Sequence, residues 1–270
     1  GFPAFKLDTT GPQGSLVINK QDEWTNSIKV QTSFSGNDPH DVQEYALSET
    51  KKLPGTFFKF PTQNQKNITF SKSFNLSPSQ GEKTIYLWLK DRVGNIGGPY
   101  SDVITLDTIS PQINNVKIYS DNSFPSLAKS GDTITLEFKT SEKVREPDVS
   151  ILGQNATVQP HPDSIIKETG ESTLIFWKAS VNVKDVSQEG ITAFNIRVTD
   201  LAGNISNPKT STDDISSVKV DLTKPEKGEG NSVQITSDNS LDPNLAKEDD
   251  TVTLTFTMSE SIQKPDVTIN

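Results

Sequence analysis

The sequence predicts an all-β chain built as tandem sandwiches. Three observations carry that expectation. Short runs of alternating apolar and polar residues recur along the 270 residues, separated by clusters of Gly, Pro, Asn and Asp. A joint of Asp, three residues, then Pro occurs at Asp8–Pro12, Asp107–Pro111 and Asp221–Pro225, at intervals of about 100 residues, the size of one domain. Finally, the residues after Pro225 repeat those after Pro111.

Taken in order, residues 1–11 read as the end of a preceding domain or a linker, with Phe5-Lys6-Leu7-Asp8 as a closing strand. The chain is therefore expected to begin inside a longer one. Residues 12–107 hold β-like runs at 15–19, 27–35, 43–48, 56–60, 67–75, 83–91 and 102–107. Alternation is clearest in Ile28, Val30 and Phe34 and in Ile85, Leu87 and Leu89. Turn residues separate the runs at Ser35-Gly36-Asn37-Asp38-Pro39, Leu53-Pro54-Gly55, Pro78-Ser79-Gln80-Gly81 and Gly97-Gly98-Pro99. About seven short strands in about 100 residues is the plan of an immunoglobulin-like sandwich. Without cysteine the antibody-type Cys…Trp…Cys spacing does not arise.

Residues 108–221 form a second such domain, with runs at 116–120, 133–140, 149–152, 173–181, 191–200 and 216–221 and longer loops around 160–163 and 207–217. Residues 222–270 begin a third. Ser120-Asp121-Asn122-Ser123 recurs as Ser237-Asp238-Asn239-Ser240, and Leu127-Ala128-Lys129 as Leu245-Ala246-Lys247. Ser141-Glu142 recurs as Ser259-Glu260. From Leu127 onward the offset is constant, as in a true internal repeat. The third copy lacks partners for the last three runs of the second. It is expected to be truncated, as a fragment of a longer array or as a half-sandwich completed by another chain.

Composition narrows the function. Net charge is −9 and nothing concentrates Lys and Arg, which disfavours nucleic acid as a partner. The absence of cysteine rules out disulfides, thiolate metal sites and a cysteine nucleophile. No stretch approaches the ~20 apolar residues of a membrane span. The two histidines, His40 and His161, sit beside prolines and form no metal-spaced pair, so catalysis is not expected. Trp24, Trp88 and Trp177 admit a carbohydrate platform, but Trp88 and Trp177 lie in strand runs where packing is the plainer role. Tyr86 and Trp88 share the face opposite Ile85, Leu87 and Leu89, which leaves room for a small exposed aromatic patch. Asn67, Asn75, Asn155 and Asn204 open glycosylation sequons that matter only in a eukaryotic secretory setting.

Two turns stand out: Asp91-Arg92-Val93-Gly94-Asn95 and Asp200-Leu201-Ala202-Gly203-Asn204. Gly and Asn tolerate positive φ, and Asp can accept from backbone N–H groups two or three residues on. The same oxygens at a domain end suit a hard cation. Strand, Asp-x-x-Gly-Asn, strand, then Asp-Thr-x-x-Pro resembles the bacterial Ig-like repeats found in tandem in very large surface proteins and adhesins. Domains two and three also resemble a subtype with Ser-Asp-Asn…Leu-Ala-Lys-x-Gly-Asp-Thr-[Ile/Val]-Thr-Leu-x-Phe…Ser-Glu, spanning Ser120–Glu142 and Ser237–Glu260. The third departs from it at Glu248-Asp249, and the first lacks its opening.

The resemblance implies a non-enzymatic extracellular, cell-surface stalk or adhesin segment that spaces or presents binding regions. It implies neighbouring Ig-like domains as partners, together with a host or cell-surface protein or a glycan. The alternative is a carbohydrate- or ligand-binding Ig-like module of a surface enzyme, phage or surface-layer protein. Such arrays carry inter-domain Ca²⁺, so the candidate ligands are Asp91, Asn95, Asp107, Asp121, Asp200, Asn204, Asp221 and Asp238. Asp107 would act with Asp91 and Asn95 or with Asp121 and Asn122.

Overall fold

A computed structural model describes residues 6–161, 175–184, 188–230 and 233–269. The chain is all-β and its strands build immunoglobulin-like sandwiches. In the first unit they are β1 (Gln13–Ile18), β2 (Trp24–Thr25), β3 (Lys29–Ser48), β4 (Phe58–Lys59), β5 (Gln65–Asn75), β6 (Gly81–Asp91) and β7 (Ile96–Leu106). Lys6–Asp8 lie in no strand, and Phe5 falls outside the described residues.

Two stretches read as turns belong to strands. Ser35–Pro39 lies inside β3, which runs unbroken for 20 residues. The N-terminal half of β3 pairs with β1 and β5, and its C-terminal half pairs with β4 and β6. The irregularity between Asn37 and Val42 is the point of transfer, where Asp41 takes φ 71°. Gly, Asn and Pro here bend one strand from one layer into the other, as bulges do at sandwich corners. Gly97-Gly98-Pro99 likewise lies within β7, with a cis Gly98–Pro99 bond.

Alternation fills the core of this unit. Ile85, Leu87 and Leu89 of β6 are fully buried, with Ile104 and Leu106 of β7 beside them. Phe34 and Tyr45, from the two halves of β3, meet Phe60 and Phe70 in an aromatic cluster, with Tyr45 and Phe60 centroids 5.0 Å apart. Such pairs add about 0.5–1.5 kcal/mol each beyond area burial.

The second unit comprises β8 (Ile113–Ser120), β9 (Leu127–Ala128), β10 (Thr133–Thr140), β11 (Asp148–Ile151), β12 (Gln154–Asn155), β13 (Thr157–Pro160), β14 (Ile175–Asn182), β15 (Gly190–Ile191), β16 (Phe194–Arg197) and β17 (Lys219–Val220). One sheet runs β13-β14-β10-β8, another β12-β11-β16, and β15-β17-β9 forms a small third. Ile134, Leu136 and Phe138 of β10 pack with Trp177 and Ala179 of β14 and with Ile151 and Ile196. Of the expected loop at 160–163, Pro160 still pairs with Trp177 in the sheet, and positions 162–163 lie outside the described residues. Positions 173–174 of the expected run at 173–181 lie outside the described residues. In the third stretch, β18 (Val233–Ser237) and β19 (Val252–Phe256) form an antiparallel pair with Val233 and Ile235 exposed.

Candidate functional site

The chemistry-bearing residues gather at the joints. Asp91 ends β6 and is buried, and its Oδ1 accepts from the N–H groups of Val93 (2.9 Å), Gly94 (2.6 Å) and Asn95 (2.8 Å). Its Oδ2 accepts from Asn95 Nδ2 at 2.9 Å. Gly94 sits at φ 101°, a conformation that a Cβ would strain. The second turn repeats the pattern. Asp200 Oδ1 accepts from Gly203 (2.7 Å) and Asn204 (2.8 Å), and its Oδ2 from Asn204 Nδ2 (2.7 Å).

Each turn then reaches back to the linker before its own unit. Asn95 Nδ2 also donates to the Asp8 carbonyl at 3.3 Å, and Asn204 Nδ2 to the Asp107 carbonyl at 2.8 Å. Asp107 therefore meets Asp200 and Asn204 of the unit that follows, in place of Asp91/Asn95 or Asp121/Asn122. The reason is strand length. β7 has 11 residues, which at ~3.3 Å each carries Asp107 roughly 35 Å from the Asp91 turn. β8 likewise carries Asp121 away to the far end of the second unit.

The joint aspartates share one local geometry. Asp8, Asp107 and Asp221 each accept through Oδ1 from the N–H two residues on, that of Thr10, Ile109 and Thr223. Around Asp107 this leaves a cluster: one carboxylate oxygen from each of Asp107, Glu142 and Asp200 lies within 4.8 Å of the others. Burial, then the charges of Asp107 and Asp200, pushes the Glu142 carboxyl above its ordinary range. An all-oxygen donor set suits a hard cation such as Ca²⁺. Glu142 escaped the sequence reading. Its one signal there was the Ser-Glu pair shared by the two repeats.

The equivalent cluster at the first joint is Asp8, Asp38 and His40. His40 Nδ1 pairs with Asp8 Oδ2 at 2.6 Å. Hydrogen bonding by the Thr10 N–H, with the His40 charge adding to it, holds Asp8 below the usual carboxylate range.

Asp121 and Asp238 close loops. Asp121 Oδ1 accepts from Thr133 N–H at 2.7 Å, and Asp238 Oδ1 from Thr251 N–H at 2.8 Å. Asn122 Nδ2 bonds Asp132 at 2.7 Å, and Asn239 Nδ2 bonds Asp250 at 2.8 Å. The repeated Ser-Asp-Asn…Leu-Ala-Lys pattern is thus a self-bonded loop. In the second unit it lines, with Asp221 and Glu260, a cleft of about 520 Å³ at the next joint. Trp88 and Trp177 are buried, so of the three tryptophans only Trp24 is exposed, and no exposed tryptophan triad forms. No helix among the described residues is long and apolar enough to cross a membrane.

No family model matches the chain, and no curated protein does. Among solved structures it is similar to the fibronectin(III)-like modules of Clostridium thermocellum CbhA. That match has 12% identity and a TM-score of 0.39, over 77% of this chain and 94% of that one. It is also similar to a Ca²⁺-stabilized, ice-binding adhesin of an Antarctic bacterium, with 13% identity and a TM-score of 0.44 over 86% of this chain. The chain spans only 52% of that adhesin structure. The D00-D0 domain of intimin matches at 13% identity and a TM-score of 0.29, over 73% of this chain and 98% of that one.

Proposed function

We propose that this chain is a non-enzymatic extracellular stalk segment of a large bacterial surface protein, spacing or presenting regions that bind a cell-surface protein or glycan. One observation carries the reading: the same clamp occurs at two successive joints, Asn95 on Asp8 and Asn204 on Asp107. A turn belonging to the body of each unit grips the linker that enters it. Bending between units is thereby limited, and each added unit extends reach without enlarging a core.

Ca²⁺ fits the second joint, held by Asp107, Glu142 and Asp200. Three carboxylates this close repel one another, and a divalent ion would offset that repulsion. The test is small-angle scattering and thermal unfolding of the chain, with Ca²⁺ and with chelator, for wild type and Glu142→Gln. Ca²⁺ should raise the melting temperature and narrow the length distribution of the wild type alone. An equal response in Glu142→Gln rejects the cation site. An Asn95→Ala/Asn204→Ala chain with an unchanged length distribution rejects the clamp and the stalk reading with it.

A further inference from the structure

Residues 209–217 start at Lys209, which bridges Ile196 of β16, and then pass beside β8 at Asp213 and Ser216 without forming a strand. β8 pairs with β10 on one side only. On the other side, Val116 N–H donates to Asp213 Oδ2 at 2.8 Å, and the Val116 carbonyl accepts from Asp213 N–H at 2.8 Å. Ile118 N–H donates to Ser216 Oγ at 2.9 Å. Side chains thus stand where the carbonyls of a further strand would lie.

The segment is braced internally. Ser216 N–H bonds Asp214 Oδ1 at 3.0 Å, Thr212 Oγ1 bonds the Ser216 carbonyl at 2.9 Å, and Lys209 pairs with Asp213. Pinned on both sides, Ile215 is forced to φ 59° and the residue is 96% exposed. A β-branched residue in the left-handed region is a genuine outlier, kept only where its surroundings over-determine it. Here the over-determining contacts are those with the β8 edge.

An edge with free N–H and C=O groups is a template for another chain. The opposite edge of the same sheet, β13, carries Pro160, a residue that sheets confine to edges. We propose that residues 209–217 are an edge lock that prevents β8 from pairing with the β8 edge of a second copy of this chain. A second copy is the fitting occupant because antiparallel self-pairing matches the same alternating groups on both strands. The only charge on β8, Lys117, is neutralised by Glu137 at 2.8 Å and so does not oppose it.

The test is Asp213→Ala/Ser216→Ala in the whole chain, read by amide exchange at Val116 and Ile118 and by sedimentation over a range of concentrations. Both amides should exchange about tenfold faster, the equivalent of one net hydrogen bond, and a concentration-dependent dimer should appear. Faster exchange in a chain that stays monomeric overturns the lock. Unchanged exchange overturns the assignment of these bonds as what holds the edge. Should the double variant fail to fold, Ser216→Ala alone carries the same readouts. Asp213→Asn keeps an acceptor and should remain monomeric; a dimer there overturns the hydrogen-bond account.

Discussion

Asn204 binds Asp107 across a joint through a single amide, whose Nδ2 lies 2.8 Å from the Asp107 carbonyl and 2.7 Å from Asp200 Oδ2. The residue closing a turn in one unit is thus the residue that grips the linker entering it. Asn204→Ala removes both bonds and leaves buried Asp200 short of a donor, at a cost of about 1–3 kcal/mol. Denaturant unfolding should record that loss. Fluorescent labels on the two units should report a broader distance distribution than in the wild type.

The Asp107–Glu142–Asp200 cluster sets a pH dependence. Glu142 has its folded-state pKa raised above the ordinary 4.5 by burial and by its two neighbours. Its ionised form is therefore disfavoured in the folded state. The penalty is fully present above the raised pKa and is relieved as pH falls towards 4.5. In chelator, Glu142→Gln should be more stable than wild type at neutral pH, with the difference shrinking on acidification. Melting temperatures at several pH values check this. Added Ca²⁺ should reverse the order by stabilising only the wild type.

Local chemistry was legible in the sequence, and distant company was not. Asp91-x-x-Gly94-Asn95 could be read as a turn because Asp, Gly and Asn act within five residues, and the bonds to Asp91 are of that kind. What the turn touches depends on how many residues β7 and β8 spend before the next joint, which periodicity does not report. The same limit explains β3. Ser35–Pro39 carries every residue of a turn, yet Asn37 still pairs with Asn67 and Val42 with both Gln65 and Asp91. Partner strands outweighed local propensity there. His40, which the sequence shows only beside a proline with no metal-spaced partner, meets Asp8 for the same reason: the strand transfer brings it to the first joint.

The linker into the first unit lies against β7 through two glycines. A Cβ on Gly11 would stand 2.3 Å from the Ile96 carbonyl carbon, and one on Gly97 would stand 1.8 Å from the Pro12 carbonyl oxygen. Both obstacles are backbone and cannot rotate away. Gly97→Ala must therefore lift the start of β1 from β7 and break the 2.6 Å bond from Tyr100 OH to the Pro12 carbonyl. The expected cost is about 1–3 kcal/mol, as for overpacking generally. Thermal unfolding measures it, and Gly55→Ala, whose Cβ would meet nothing, is the matched control that should stay near wild type.

Glu137 is a buried charge on the outward face of β10, and its partners decide whether that burial is tolerated. Burial alone would raise its pKa. Hydrogen bonds from Lys117 and Tyr119, with O···O 2.6 Å to Tyr119, overcome this and hold the carboxyl below its ordinary range. Burial and the Glu137 bond push the Tyr119 hydroxyl up to about 12. A carboxyl lowered on folding contributes stability above its unfolded pKa and loses it as pH falls through the folded one. Tyr119→Phe removes one donor to a charged group, worth about 1.5–3 kcal/mol. The variant should be less stable at neutral pH, with the gap to wild type closing in acid as Glu137 takes up its proton in both. Absorbance titration of the tyrosines should show a step near 12 that is missing in Tyr119→Phe. If that step persists, the high-titrating phenol is another tyrosine, and the Tyr119–Glu137 bond is not what raises it.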